Sequence, residues 1–171
     1  IYTEKNIWKS AAKKVYLTVN TIEELEASSG SNIISNSKIK GTDLEVGSSS
    51  GAQIALEVSV VNLTSSTSSG ASANIDVNAN IVISNSSSGA NMKIKGETSI
   101  HETSASSGSS VNAYNLLSKN VIAKVSSGAS IRVQASESID GKASSGGSIS
   151  FEGNPEKITR KTSSGGSISS R

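Results

Sequence analysis

The chain has 171 residues, the size of one domain, and its hydrophobic (34%) and charged (18%) fractions both fall below the usual globular share. Sixteen Lys and Arg against 14 Asp and Glu give a formal charge of +2, too balanced to point to a nucleic-acid partner. One His and no Cys leave no ligand set for a structural zinc or an iron–sulfur cluster, so no cofactor is expected, and no run of about 18 apolar residues offers a membrane span.

Residues 1–20 read as a lead-in or N-terminal cap. Ile1 opens without the charged and apolar leader of an export signal, and the chain is expected to be a fragment of a longer one. Val15, Leu17 and Val19 alternate as a strand does, and Trp8 is expected to lid the first coil of the repeat region. Serine fills 40 of the 171 positions, a composition that alone would suggest a disordered coat. From residue 21 to 171, however, a Ser-Ser-Gly triplet recurs eight times. Its glycines are Gly30, Gly51, Gly70, Gly89, Gly108, Gly128, Gly146 and Gly165, at intervals of 21, 19, 19, 19, 20, 18 and 19 residues. A period this constant marks a solenoid.

The residues around each triplet fall into columns. Three past the glycine stand Ile33, Ile54, Ala73, Met92, Val111, Ile131, Ile149 and Ile168, and five past it stand Ser35, Leu56, Ile75, Ile94, Ala113, Val133, Phe151 and Ser170. The residues between them are mostly polar, so one face is dry and the other wet. One past the glycine stand only Ser, Ala and Gly, which suits a tight corner. A second strand precedes each triplet, with Leu44, Leu63, Val82, His101, Val121, Ile139 and Ile158 seven residues before the glycine. The stretch between the strands is variable and is expected to break at Asn115 and at Asn154-Pro155. Ser, Asn, Thr and Gly disfavour helix interiors, and a period of about 19 residues leaves no room for a βαβ crossover.

These columns predict an all-β fold: a single-stranded parallel β-helix of about eight coils, each of about 19 residues, in one domain spanning 1–171. Coils stacked at about 4.8 Å would make a rod roughly 38 Å long, and the general crossover preference predicts a right-handed turn. The triplet glycine is expected at a corner needing positive φ, and the two serines are expected to bond to the turn backbone through their hydroxyls.

Few residues suggest chemistry. His101 stands alone in an aliphatic column, and a local slip that turns it outward and Ile100 inward is the simplest expectation. Glu57 and Asp76 share one outward column on adjacent coils, with Lys95 following, and read as a solvated charged face rather than a catalytic carboxylate pair. The triplet serines have no paired His and assemble no nucleophile. Ile81, Ile83, Ile100 and Ile122 fall at outward positions, but a shift at the preceding corner is expected to bury them. A candidate contact surface comprises Asn74, Asp76, Lys93, Lys95, Asn112, Tyr114, Arg132, Ile81 and Ile83, with further asparagines at Asn78, Asn80, Asn91 and Asn115.

The segment Gly141-Lys142-Ala143-Ser144-Ser145-Gly146-Gly147-Ser148-Ile149, followed by Phe151-Glu152-Gly153-Asn154-Pro155, resembles the closing coils of the putative auto-transporter adhesin, head GIN domain family. Lys161-Thr162-Ser163-Ser164-Gly165-Gly166-Ser167-Ile168 resembles its last stretch. Val15-Tyr16-Leu17-Thr18-Val19 with Leu25-Glu26-Ala27-Ser28-Ser29-Gly30 resembles its approach to the repeats. The resemblance covers about residues 13–171. It implies a parallel β-helix, a secreted or cell-envelope location in Bacteroidetes-type bacteria, and further coils N-terminal to this chain, and it assigns no catalytic residue. The expected function is a noncatalytic envelope or secreted module that binds a glycan or a protein surface. A structural spacer or self-assembly module is the alternative, and a polysaccharide-active enzyme a third reading.

Overall fold

The computed structural model describes residues 14–171. Thirteen strands form one continuous sheet, and every pairing in it is parallel. The first coils are built from short strands: β1 (Glu24–Ala27), β2 (Asn32–Ile34), β3 (Ile39–Lys40), β4 (Asp43–Ser48), β5 (Gln53–Ser59) and β6 (Asn62–Thr67). In the middle, each coil is one long strand that bends round a corner: β7 (Ser72–Ser86), β8 (Asn91–Ala105), β9 (Ser110–Val125) and β10 (Ser130–Ala143). The last coils divide again into β11 (Ser148–Glu152), β12 (Lys157–Thr162) and β13 (Ser167–Ser170). This is a β-solenoid of about eight turns.

The column three past the glycine is in register through its whole length, from Ile33 on Ile54 to Ile131 on Ile149 and Ile149 on Ile168. The second strand stacks likewise, from Leu44 on Leu63 to Ile139 on Ile158. Two sides result. The first follows each triplet and the second leads into the next one. Between them the chain turns a corner where the inward alternation skips a residue, as from Ala79 to Val82, both buried. At this corner Asn80 and Ile81 both donate their amides to the Val61 carbonyl, at 2.9 and 3.1 Å.

The triplet makes the other corner. Ser29, Ser50, Ser69, Ser88, Ser107, Ser127, Ser145 and Ser164 all have φ between 47° and 54°, and the eight triplet glycines lie between 68° and 75°. Two successive left-handed residues, closed by an amide bond from the residue after the glycine to the first serine's carbonyl (Ala129 N to Ser126 O, 3.1 Å), make a type I′ turn. The second serine's carbonyl then points along the rod and accepts the glycine amide of the preceding coil, as Gly128 N does to Ser145 O at 3.0 Å. The hydrogen bonds that recur at every turn are therefore main-chain, and the hydroxyls that accept from the turn amides belong to Ser31 and Ser109, one past the glycine, which receive Ser28 N and Ser106 N at 3.0 and 3.2 Å. A Cβ on Gly128 would meet nothing within 4 Å, so positive φ rather than lack of room selects glycine. Elsewhere room decides. A Cβ on Gly96 would strike the Val77 carbonyl, and one on Gly147 would stand 3.0 Å from Ser126 N and Val125 Cγ1. The latter explains why the column after the glycine holds only Gly, Ala and Ser.

Several expectations are corrected. His101 is fully buried and Ile100 faces outward, with His101 in register between Val82 and Val121. A one-residue slip would have reversed the neighbours too and driven Glu102 inside. For the same reason Ile81, Ile83, Ile100 and Ile122 stay on the outside of the second side, where burying Ile81 and Ile83 would have expelled Val82. Asn115 does not break its strand. β9 runs through it with a register shift opposite Lys93–Lys95, which absorbs the extra residue of that 20-residue interval. The break at Asn154-Pro155 is present between β11 and β12. Val15, Leu17 and Val19 form no strand and stand 63%, 70% and 52% exposed. Trp8 lies outside the described residues. In the last coil Arg160 follows Gly141 in its column but is exposed, with its guanidinium 5.1 Å from the ring centroid of the buried Phe151.

The turn geometry yields a paired prediction for equilibrium denaturation. Gly128→Ala lowers stability by about 1–2 kcal/mol although its methyl has open space, because the left-handed region is unfavourable for L-residues. Ser127→Asn raises stability by roughly 0.5 kcal/mol, since Asn tolerates that region better. Equal effects at both positions would contradict the backbone explanation.

Candidate functional site

The candidate residues separate into two groups. Asn74, Lys93, Asn112 and Arg132 occupy one outward column on four successive coils of the first side. Asp76 and Lys95 form the next column, where Glu57 precedes Asp76. Tyr114 lies at the bulge of β9, beside these columns. Its hydroxyl donates to Ser150 Oγ at 2.7 Å, two coils on, and the Arg171 guanidinium sits 5.7 Å from its ring centroid. Arg171 is held in turn by Glu152 at 3.2 Å. Seven of the nine residues thus share one face. Ile81 and Ile83 do not join them, because the corner after Ala79 carries them onto the second side.

Parallel stacking sets the electrostatics of the first side. Glu57 and Asp76 are directly opposed, an arrangement that is unfavourable for like charges. A lysine flanks each one: Lys38 Nζ lies 2.9 Å from Glu57 Oε1 and Lys95 Nζ 2.9 Å from Asp76 Oδ2. Both lysine pKa values are raised, first by the hydrogen bond to the carboxylate and then by its charge. With each carboxylate engaged by an ammonium, the pair reads as a charge-balanced surface rather than as an acid and a base poised for glycosidic chemistry. Among the described residues, no group of three or more His, Asp or Glu is placed to hold a metal ion.

His101 belongs to the interior. Its Nε2 lies 2.9 Å from Ser84 Oγ, while Nδ1 has no hydrogen-bond partner among the described residues. Ser65 Oγ and Thr103 Oγ1, buried close by in the adjoining column, also lack one. Burial pushes the imidazole pKa down from 6.5 to about 4.

A second cluster is not among the sequence candidates. Lys124, Lys142 and Lys161 each stand four residues before a triplet glycine, on the second side, and are in direct register. They line a groove of about 480 Å³ together with serines of the neighbouring turns. A fixed offset of four from the glycine makes this column readable in the sequence, but the columns at seven and five before it carry the apolar signal and draw the eye first.

The sequence profile of the family described as putative auto-transporter adhesin, head GIN domain, matches residues 1–155. The chain belongs to that family. The match takes in the stretches around Val15–Gly30 and Gly141–Pro155, while Lys161–Ile168 lies beyond it. No functionally curated protein matches the chain. Among solved structures, the putative adhesin of Parabacteroides merdae superposes with a TM-score of 0.84 at 18% identity, covering 87% of this chain and 63% of that one. The putative lipid binding protein of Parabacteroides distasonis gives 0.83 at 17%, covering 87% and 61%. A putative adhesin of Bacteroides fragilis gives 0.78 at 14%, covering 90% and 94%. At such identities the likeness is one of fold. This chain spans about three-fifths of the length of the two Parabacteroides proteins.

Burial of His101 generates a pH prediction. Its folded pKa of about 4 lies below the ordinary 6.5, so the folded state binds fewer protons than the unfolded state between these values. Stability is complete above pH 6.5 and falls as pH drops toward 4, by about 3 kcal/mol in all. Denaturation midpoints across that window should show the loss, and the double variant His101→Val, Ser84→Ala should abolish the part due to the imidazole. An undiminished loss in the variant would assign it to other groups.

Proposed function

We propose that this solenoid is a noncatalytic adhesion module of the bacterial cell envelope or the secreted fraction, and that its first side contacts a glycan or a protein surface. The observation that carries the reading is the column Asn74–Lys93–Asn112–Arg132 with Tyr114 beside it. It places amides, cations and an aromatic ring on a rigid sheet at one-coil spacing, so that an extended partner meets repeated donors in a line. Rigidity matters because little backbone ordering then opposes binding, and the cost that remains is the lost rotamer freedom of the exposed Lys93 and Arg132. Family membership and the adhesin names of two structural neighbours support the class of function and the location.

A specific observation favours the alternative, a spacer or self-assembly module. Ile81, Ile83 and Ile100 stand part-exposed on the second side, with Ile122 36% exposed near them. An apolar stripe along a rod suits lateral contact between copies.

A glycan-array and surface-protein screen of the intact protein tests the first reading. Binding is expected, and the combined variant Asn74→Ala, Lys93→Ala, Asn112→Ala, Arg132→Ala is expected to weaken it by roughly tenfold or more. No binding in the screen, together with concentration-dependent association abolished by Ile81→Ser and Ile100→Ser, would transfer the conclusion to the second reading.

A further inference from the structure

The groove beside the Ser-Ser-Gly turns in the C-terminal half presents an unbalanced row of charge. Lys124 is in register with Lys142, and Lys142 with Lys161. Neighbouring parallel strands lie about 4.8 Å apart, so three exposed ammonium groups are anchored in a line along the rod at that spacing. Like charges directly opposed on a sheet repel. On the first side the same problem, with Glu57 above Asp76, is offset by Lys38 and Lys95. On the second side it is not: among the described residues none of the three lysines is in an ion pair. Asp140, two residues before Lys142 on the same face, is in none either, and no Asp or Glu lines the groove.

The groove's other polar groups are hydroxyls. Ser106, Ser126 and Ser144, each the first serine of its triplet, line it at one-coil intervals. The main-chain groups of these turns are already joined to one another, so the fold does not depend on the hydroxyls. A row of cations beside a row of hydroxyls, both running with the rod axis, matches a ligand with the same linear repeat. A small anion would reach one or two of the lysines. A chain of sugar rings bearing carboxylates or sulfates carries charge and hydroxyl on every ring or every second ring, and a ring is about as long as one coil is thick. A membrane surface fits less well: its charges form a plane rather than a line, and the groove itself is lined by no apolar group larger than Ala105, Val125 and Ala143, with Ile122 exposed beside it.

We propose that the Lys124–Lys142–Lys161 groove is a binding site for a linear anionic polysaccharide. The proposal deepens the adhesion reading by naming a ligand class, and it rests on that reading, but it uses a different face, so each can fail alone.

The test titrates the intact protein with polygalacturonate, dextran sulfate, neutral dextran and phosphatidylglycerol vesicles. Saturable binding to at least one anionic polymer is expected, weakening as salt is raised, with none to neutral dextran. The triple variant Lys124→Gln, Lys142→Gln, Lys161→Gln should lose roughly tenfold or more in affinity. An equal loss of charge at Lys14→Gln, Lys40→Gln, Lys119→Gln should cost about twofold or less. All six lysines are exposed, and unchanged circular dichroism and melting temperature confirm that each variant folds. Equal losses in the two triple variants would overturn the proposal, showing attraction to net charge rather than a site. Binding of neither anionic polymer, or lysine-dependent binding to vesicles alone, would also overturn it. Binding of a neutral glycan or a protein that survives the groove triple and disappears with the Asn74–Arg132 variant would sink the groove and leave the adhesion reading standing.

Discussion

Every coil of this solenoid is tied to the next by one repeated main-chain contact. The second serine of each triplet takes a left-handed conformation, which turns its carbonyl along the rod to receive a glycine amide from the preceding coil. The conformation is unfavourable for a serine. It persists because the two flanking strands are already committed to parallel ladders on either side of the turn. The turn therefore fixes phase, and phase fixes which residues stack on which.

Strict phase brings every side chain within reach of its equivalents above and below. For apolar residues this is favourable, and Ile131 against Ile149 is an example. For polar ones it creates obligations. The first side meets them by interleaving charge, with two carboxylates each flanked by a lysine. The interior meets them unevenly: Ser84 reaches His101, while Ser65 and Thr103 have no partner among the described residues. The lysine row of the second side leaves its obligation open to an outside anion. A rod that stacks by equivalence thus converts a fixed position in the repeat into a linear surface of uniform chemistry.

The chain belongs to the family described as putative auto-transporter adhesin, head GIN domain, and shares its fold with the Parabacteroides and Bacteroides proteins. The two long sides are chemically distinct. The first carries amides, paired charges and Tyr114 pinned across two coils. The second carries a part-exposed isoleucine stripe near the corner and the lysine row near the turn. A partner meeting one side need not compete with a partner on the other.

Much of the architecture was legible in the sequence. The eight triplets, the alternation past each glycine and the offsets of Leu44 to Ile158 determine a parallel stack of about 19-residue coils, because only stacking puts such columns in contact. The positive φ of the glycines could be read too, since no other residue recurs where that conformation is cheap. The orientation of His101 and of the four isoleucines could not. It depends on how many residues the corner after Ala79 consumes, and that is decided jointly by every neighbour that a slip would reverse, Glu102 above all. Nor could the separation of Ile81 and Ile83 from the Asn74–Arg132 column, or the lack of an ion-pair partner for Lys124, Lys142 and Lys161 among the described residues. Position along the chain specifies the column a residue occupies. Which columns share a face, and which charges find a counter-ion there, is decided only once the corners have folded the two sides against each other.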